Sequence, residues 1–206
     1  MLLHKMAINA SFSDFITKSM PFAKQDIWIN SHITKIWNPV LNKIMIILTN
    51  IFSPEVLLAF SIALFLVFIH KKKRHNATIL ALSVAIGLVG VELIKLLVQR
   101  PRPENSLVQE SGYSFPSTHS AIAIIFFVLI IYFFKDYFKS GIAKTAFIIL
   151  NILSFVLVGF SRVYLNVHWF SDVIIGFLLG SFAIIFSIFF LRAVNLFVKN
   201  NLLKRH

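Results

Sequence analysis

Hydrophobic positions in this chain do not alternate with polar ones; they run on. Five stretches are almost wholly apolar: roughly 54–70, 77–98, 119–134, 145–160 and 170–191. At about 1.5 Å per residue, a helix of this length spans or nearly spans a hydrocarbon core of about 30 Å. Membrane-barrel strands are shorter, about ten residues, and alternate, so the pattern predicts helices. The first run starts with a cap, a helix-opening proline and an acid at the positive helix end: Ser53, Pro54 and Glu55. The expected fold class is all-α, a polytopic transmembrane bundle of five spans.

Residues 1–52 break the pattern. Ile29, Ile33, Ile36, Trp37, Val40, Leu41 and Ile44 recur at helical spacing, and Trp28 and Trp37 suit a membrane interface. Residues 27–52 are expected to form helices lying on the bilayer surface or packed on the bundle. No short basic region followed by an apolar core reads as a signal peptide. The expected organisation is an amphipathic segment at 1–52, a transmembrane domain at 53–198 and a basic tail at 199–206.

Composition supports the membrane reading: 58% of residues are hydrophobic, 23 are Phe, and 14% are charged, against about 25% in soluble domains. There are no cysteines, which excludes disulfides, thiolate metal sites and cysteine nucleophiles. A net charge of +12 raises the question of nucleic acid. The basic residues instead cluster in loops beside apolar runs, as the positive-inside rule places them, and no nucleic-acid partner is expected. Lys71, Lys72, Lys73 and Arg74, then Lys135, Lys139 and Lys144, then Lys199, Lys204 and Arg205 fall on one face. That face is assigned to the cytoplasm, so the 99–118 and 161–169 loops face outward. The five lysines of residues 1–43 then lie outside too, against the rule; a further first span would remove the conflict.

The outward loops carry the chemistry. Lys95 stands one turn inside the membrane boundary, with Glu92 on the same helical face. Arg102 is held in a Pro-x-Pro frame, and Arg162 closes the fourth run. Such cations with few acids beside them describe an anion site. His168 and Asp172 are four residues apart at a helix start, so a carboxylate can orient one ring nitrogen and leave the other free. His119, at the start of the helix that leaves the earlier 99–118 loop, can serve as a proton donor. Each residue alone has a plainer use: a snorkelling lysine, a capping pair, a helix-start histidine. Their co-occurrence at three helix ends favours the site. Of the eight carboxylates in the chain, only Glu104, Glu110 and Asp172 are expected near it. No metal or cofactor is expected.

Three segments, "KLLVQRPRP" (95–103), "PSTH" (116–119) and "SRVYLNVHWFSD" (161–172), resemble the signature of the type 2 phosphatidic acid phosphatase superfamily, K-x6-R-P, P-S-G-H and S-R-x5-H-x3-D. The resemblance implies that Lys95, Arg102 and Arg162 hold phosphate oxygens. It implies a hydrogen bond from Ser117, with backbone N–H groups at Thr118 and His119 assisting. It implies attack by His168 oriented by Asp172, a phosphohistidine, and proton transfer by His119. The implied substrate is a membrane lipid phosphate: undecaprenyl diphosphate, phosphatidylglycerol phosphate or phosphatidic acid. The implied location is a bacterial plasma membrane with the site facing the exterior. Vanadium-dependent haloperoxidases share the site but are soluble, so the hydrophobicity here argues against that activity. Two departures stand out: Thr118 replaces the usual Gly, and family members commonly have six spans. The alternative expectation is a protein that binds or carries phospholipids without hydrolysis; it has no use for His119, His168 and Asp172. The sequence assigns no oligomeric state.

Overall fold

The computed structural model describes residues 22–203, and side chains as far as 197. The parts of the expected N-terminal segment and basic tail at 1–21 and 204–206 lie outside the described residues. Every regular element described is helical: α1 (Ala23–Ile33), α2 (Pro39–Ile51), α3 (Pro54–His70), α4 (Arg74–Val98), α5 (Thr118–Phe134), α6 (Gly141–Tyr164) and α7 (Phe170–Leu203), with two short 3-10 turns. Among the described residues, five helical stretches are long and apolar enough to cross a membrane: Pro39–His70, Arg74–Val98, Thr118–Tyr137, Gly141–Tyr164 and Phe170–Phe197. The all-α bundle and the count of five agree with the sequence.

The element ends follow from local chemistry. Asn38, Ser53, Ser117 and Ser140 each accept a backbone N–H of the following turn, opening α2, α3, α5 and α6. Pro39 and Pro54 occupy first-turn positions, where their missing N–H costs nothing. Gln99 closes α4 in the left-handed region, at φ 51°. Its amide returns to the Lys95 carbonyl at 2.9 Å, and the chain turns sharply into the 99–117 loop.

Several boundaries differ from the sequence reading, among them that of α7, which runs to Leu203, past the expected end near 191. The first apolar stretch begins at Pro39, because α2 leads into α3 across only Phe52 and Ser53. The fourth apolar run continues as α6 to Tyr164, past the expected end at 160, and Arg162 is buried and bonded within the protein instead of facing solvent.

α5 is the central helix, with half of its apolar span buried inside the protein, more than in any other span. Ile122, Ile125 and Leu129 of α5 pack with Ile79 and Leu80 of α4 and Ala183 and Ile184 of α7. The outer faces stay apolar and exposed, as with Leu97, Leu150 and Phe189, which suits a surrounding of lipid tails. Two glycines set the closest helix approach. A Cβ on Gly176 would lie 2.6 Å from the Ser117 carbonyl oxygen, and one on Gly180 2.6 Å from that of Ala121. This Gly-x-x-x-Gly stripe lets α7 lie directly on the start of α5. Ser117 N–H then donates to the Asp172 carbonyl at 3.0 Å, locking two of the motif segments together.

Candidate active site

The three motif segments meet at one end of the bundle. Lys95, in the last turn of α4, donates to Thr118 Oγ1 at 2.8 Å and lies 3.7 Å from Glu92. The hydroxyl that Thr118 carries in place of the usual Gly anchors the lysine that crosses from the neighbouring helix. Thr118 begins α5, and Ser117 is fully buried with its Oγ accepting the Ser120 N–H at 3.4 Å.

Arg102 is fixed by the loop it belongs to. It donates to the carbonyls of Val167 at 2.9 Å, Ser111 at 3.1 Å and Gly112 at 3.2 Å. The same Nη1 lies 3.2 Å from His168 Nε2. An arginine can only donate, so Nε2 is the acceptor and the imidazole proton sits on Nδ1. His168 Nδ1 faces Asp172 Oδ2 at 3.3 Å, and that oxygen also accepts the Trp169 N–H at 3.0 Å. The i,i+4 pair thus forms as expected, with the unprotonated nitrogen turned toward the cations. Burial first, then the charges of Arg162, Arg102 and Lys95, hold the imidazole well below its ordinary value of 6.5.

Arg162 is buried in the last turn of α6. It donates to Thr49 Oγ1 at 2.8 Å and to Glu110 Oε1, while its Nε finds no partner among the described residues. Glu110 lies 4.0 Å from Arg102 as well. Burial pushes the Glu110 carboxyl up, but Arg162 and Arg102 outweigh it and hold the group below its ordinary 4.5. His119, on the first turn of α5, is within electrostatic reach of Arg162, His168, Arg102 and Lys95. Beside this cluster lies a cavity of 520 Å³ lined by Arg102, Pro103, Ser106, Gln109, Glu110 and Ser111.

Behind Asp172 is a second layer that the sequence reading missed. Arg100 is fully buried over the Trp169 ring, 5.1 Å from its centroid. It donates to Asp172 Oδ1 and Ser171 Oγ, each at 2.7 Å, and to Asp26 Oδ2 at 2.8 Å. Asp26, on α1, also accepts the Ser171 amide at 2.9 Å and hydroxyl at 2.6 Å. The expectation that only Glu104, Glu110 and Asp172 approach the site is therefore corrected. Asp26 reaches it, whereas Glu104 is exposed and engages only through its carbonyl, which accepts from Asn166 at 2.7 Å. A fully buried arginine needs carboxylates around it, and Asp172 alone leaves part of the guanidinium unmatched. That demand was the available signal for Asp26. The second clamp comes from α2 and the turn before it: Trp37 Nε1, just after the 3-10 turn, donates to the Tyr164 carbonyl at 2.8 Å, and Tyr164 OH donates to Asn42 Oδ1 of α2 at 2.7 Å.

Fold and site together define a polytopic helical membrane protein that gathers three cationic side chains around a histidine–aspartate pair at one end of its bundle. The chain belongs to the PAP2 superfamily, whose family model matches residues 76–195, and is a PAP2-type phosphatase. It is 34% identical over 145 residues to phosphatidylglycerophosphatase B of Bacillus subtilis, covering 69% of this chain and 71% of that one. It is 31% identical over 176 residues to an undecaprenyl-diphosphatase of Sulfolobus acidocaldarius, covering 80% of each. The fold matches the crystal structure of a transmembrane PAP2-type phosphatidylglycerolphosphate phosphatase from Bacillus subtilis. That match has a TM-score of 0.75 at 27% identity and covers 89% of this chain and 94% of that one. LpxE of Aquifex aeolicus matches with a TM-score of 0.63 at 25% identity, over 79% of this chain and 93% of that one.

Proposed function

We propose that this phosphatase removes a terminal phosphoryl group from a membrane lipid, a phosphomonoester or diphosphate, through a phosphohistidine on His168 and without a metal ion. The observation that carries the reading is the orientation of His168, with Nδ1 toward Asp172 and Nε2 toward Arg102. In this mechanism Nε2 attacks phosphorus while Asp172 stabilises the imidazolium that forms. Lys95, Arg102 and the free Nε of Arg162 take up charge on the equatorial oxygens. The phosphorus–oxygen bond to the lipid breaks, and His119 gives a proton to the departing oxygen. His119 then takes a proton from water, which attacks phosphorus and releases phosphate from His168. Ser117 contributes a hydrogen bond at the start of α5.

Among the described residues no three His, Asp or Glu side chains converge as a metal site, and the cationic surroundings disfavour one. An apolar groove of 440 Å³ between α3 and α4, lined by Leu58, Phe65, Val84 and Leu88 among others, supports lipid as the substrate. Leu88 lies two helical turns before Lys95, so the groove runs toward the cationic end along one face of α4. The relatives' names supply phosphatidylglycerol phosphate and undecaprenyl diphosphate as candidates, with phosphatidic acid a third. The distribution of lysines supports a site that faces the cell exterior.

The test is phosphate release from these lipids in detergent with chelator present, for wild type and His168→Asn. Chelator-insensitive release that the substitution abolishes, with acid-labile phosphate trapped on the wild type, is expected. Full activity in His168→Asn, or loss of activity to chelator, would overturn the mechanism.

A further inference from the structure

The free site is not an empty cationic cup. The Glu110 carboxylate is bonded to Arg162 Nη2 and stands 4.0 Å from Arg102, the two guanidiniums that the phosphatase reading assigns to phosphate. A carboxylate oxygen and a phosphate oxygen ask the same thing of a guanidinium fork. Both cannot hold these donors together without placing like charges in contact, which repel. Glu110 also differs from the other acids of the site in its freedom. Asp172 and Asp26 are completely enclosed, whereas the Glu110 side chain is 30% exposed. It comes from the 99–117 loop and borders the 520 Å³ cavity beside Arg102, so a displaced carboxylate has somewhere to go.

We infer that Glu110 is a built-in placeholder for a phosphate oxygen, occupying Arg162 and Arg102 until an incoming phosphoryl group displaces it. The inference rests on the phosphatase reading for its ligand. Its physical consequence concerns occupancy. Displacing Glu110 weakens every anion by the same factor, so it leaves the preference between anions unchanged. It matters because a protein in a bilayer sits among phosphodiester headgroups at very high local concentration. Such groups carry one negative charge and two free oxygens. A terminal phosphoryl group carries three free oxygens and a charge of about −1.5 to −2 at pH 7, and so has more to gain from three cations. A common penalty keeps the diesters below occupancy while the better-held terminal phosphoryl group still enters. The same penalty helps to expel the inorganic phosphate left after hydrolysis.

The experiment titrates inorganic phosphate into the full-length protein in an uncharged detergent, for wild type, Glu110→Gln and Glu110→Ala. Phosphatidylglycerol, a phosphodiester, is then added as a competitor. The placeholder predicts tighter phosphate binding in both variants by about tenfold or more. The inhibition constant of phosphatidylglycerol itself, taken from phosphate titrations at several competitor concentrations, should fall by a similar factor, with the ratio of the two affinities unchanged. Misfolding cannot produce a gain in affinity. Unchanged or weaker phosphate binding in the variants would show that Glu110 only holds Arg162 in place, and would overturn the inference. So would tighter phosphate binding with no fall in the inhibition constant of phosphatidylglycerol. The binding arm needs no turnover: a wild type that releases no phosphate from any lipid sinks the phosphatase reading and leaves the Glu110 result standing.

Discussion

Replacing Asp26 should disable the protein from a position that lies outside all three motif segments. The carboxylate accepts hydrogen bonds at 2.8, 2.9 and 2.6 Å from Arg100 and from the Ser171 amide and hydroxyl, and both members of the Arg100 pair are fully buried. Asp26→Ala leaves half of a buried guanidinium unmatched. Truncating one partner of such a pair costs about 3–5 kcal/mol. Asp26→Asn keeps the shape and an acceptor oxygen but loses the charge, and about 1.5–3 kcal/mol is expected for a hydrogen bond to a charged group. The effect on catalysis runs through Arg100. Freed from Asp26, it draws Asp172 toward itself and away from His168 Nδ1, where the contact is already 3.3 Å. Small misplacements of a reacting group cost about 100-fold, so kcat should fall by a factor of about 10 to 100. KM should change little, because Lys95, Arg102 and Arg162 do not touch Asp26. The assay pairs thermal unfolding in detergent with kcat and KM measured separately on a lipid phosphate, for both variants. A wild-type kcat in Asp26→Ala, or a loss confined to KM, would refute the claim that α1 holds the dyad through Arg100.

Three further outcomes follow from the same geometry. Gly176→Ala places a Cβ 2.6 Å from the Ser117 carbonyl oxygen; α5 and α7 must part, and both melting temperature and turnover should drop, while Gly141→Ala, which has nothing within 4 Å, should leave both intact. Thr118→Gly removes the hydroxyl that Lys95 holds at 2.8 Å; KM should rise a few-fold as the lysine loosens, and an unchanged KM would show that Lys95 is positioned without it. The native imidazole of His168 titrates below its ordinary 6.5, so the unfolded chain binds the extra proton first. The stability carried by the neutral ring is present above pH 6.5 and is lost as pH falls toward the lower native value. Unfolding measured between pH 7 and pH 5 should therefore show a steeper loss for wild type than for His168→Asn; parallel curves would contradict the assignment.

The legibility of this chain divides along a physical line. Helix number and type were readable because a hydrocarbon environment demands long apolar runs, and those of residues 54–191 satisfy it one by one. That Lys95, Arg102, His119, Arg162, His168 and Asp172 would gather at one end of the bundle was readable as well. Spacing along a helix fixes which side chains share a face, and a span fixes which helix ends share a side of the bilayer. The i,i+4 pairing of His168 with Asp172 is a local fact that any helix start would produce. Tertiary structure alone decided what neutralises what. Asp26 and Arg100 are 74 residues apart, and Arg162 and Thr49 are 113 apart; no periodicity relates them. Their pairing comes from the docking of α1 and α2 across the ends of α6 and α7, which strips water from both guanidiniums and forces each to find an acceptor in the protein. The contact of Glu110 with Arg162 arises in the same way, from the path of an irregular loop whose turns carry no repeating pattern. Sequence fixes where charge can stand along a membrane helix; only packing decides which opposite charge it meets.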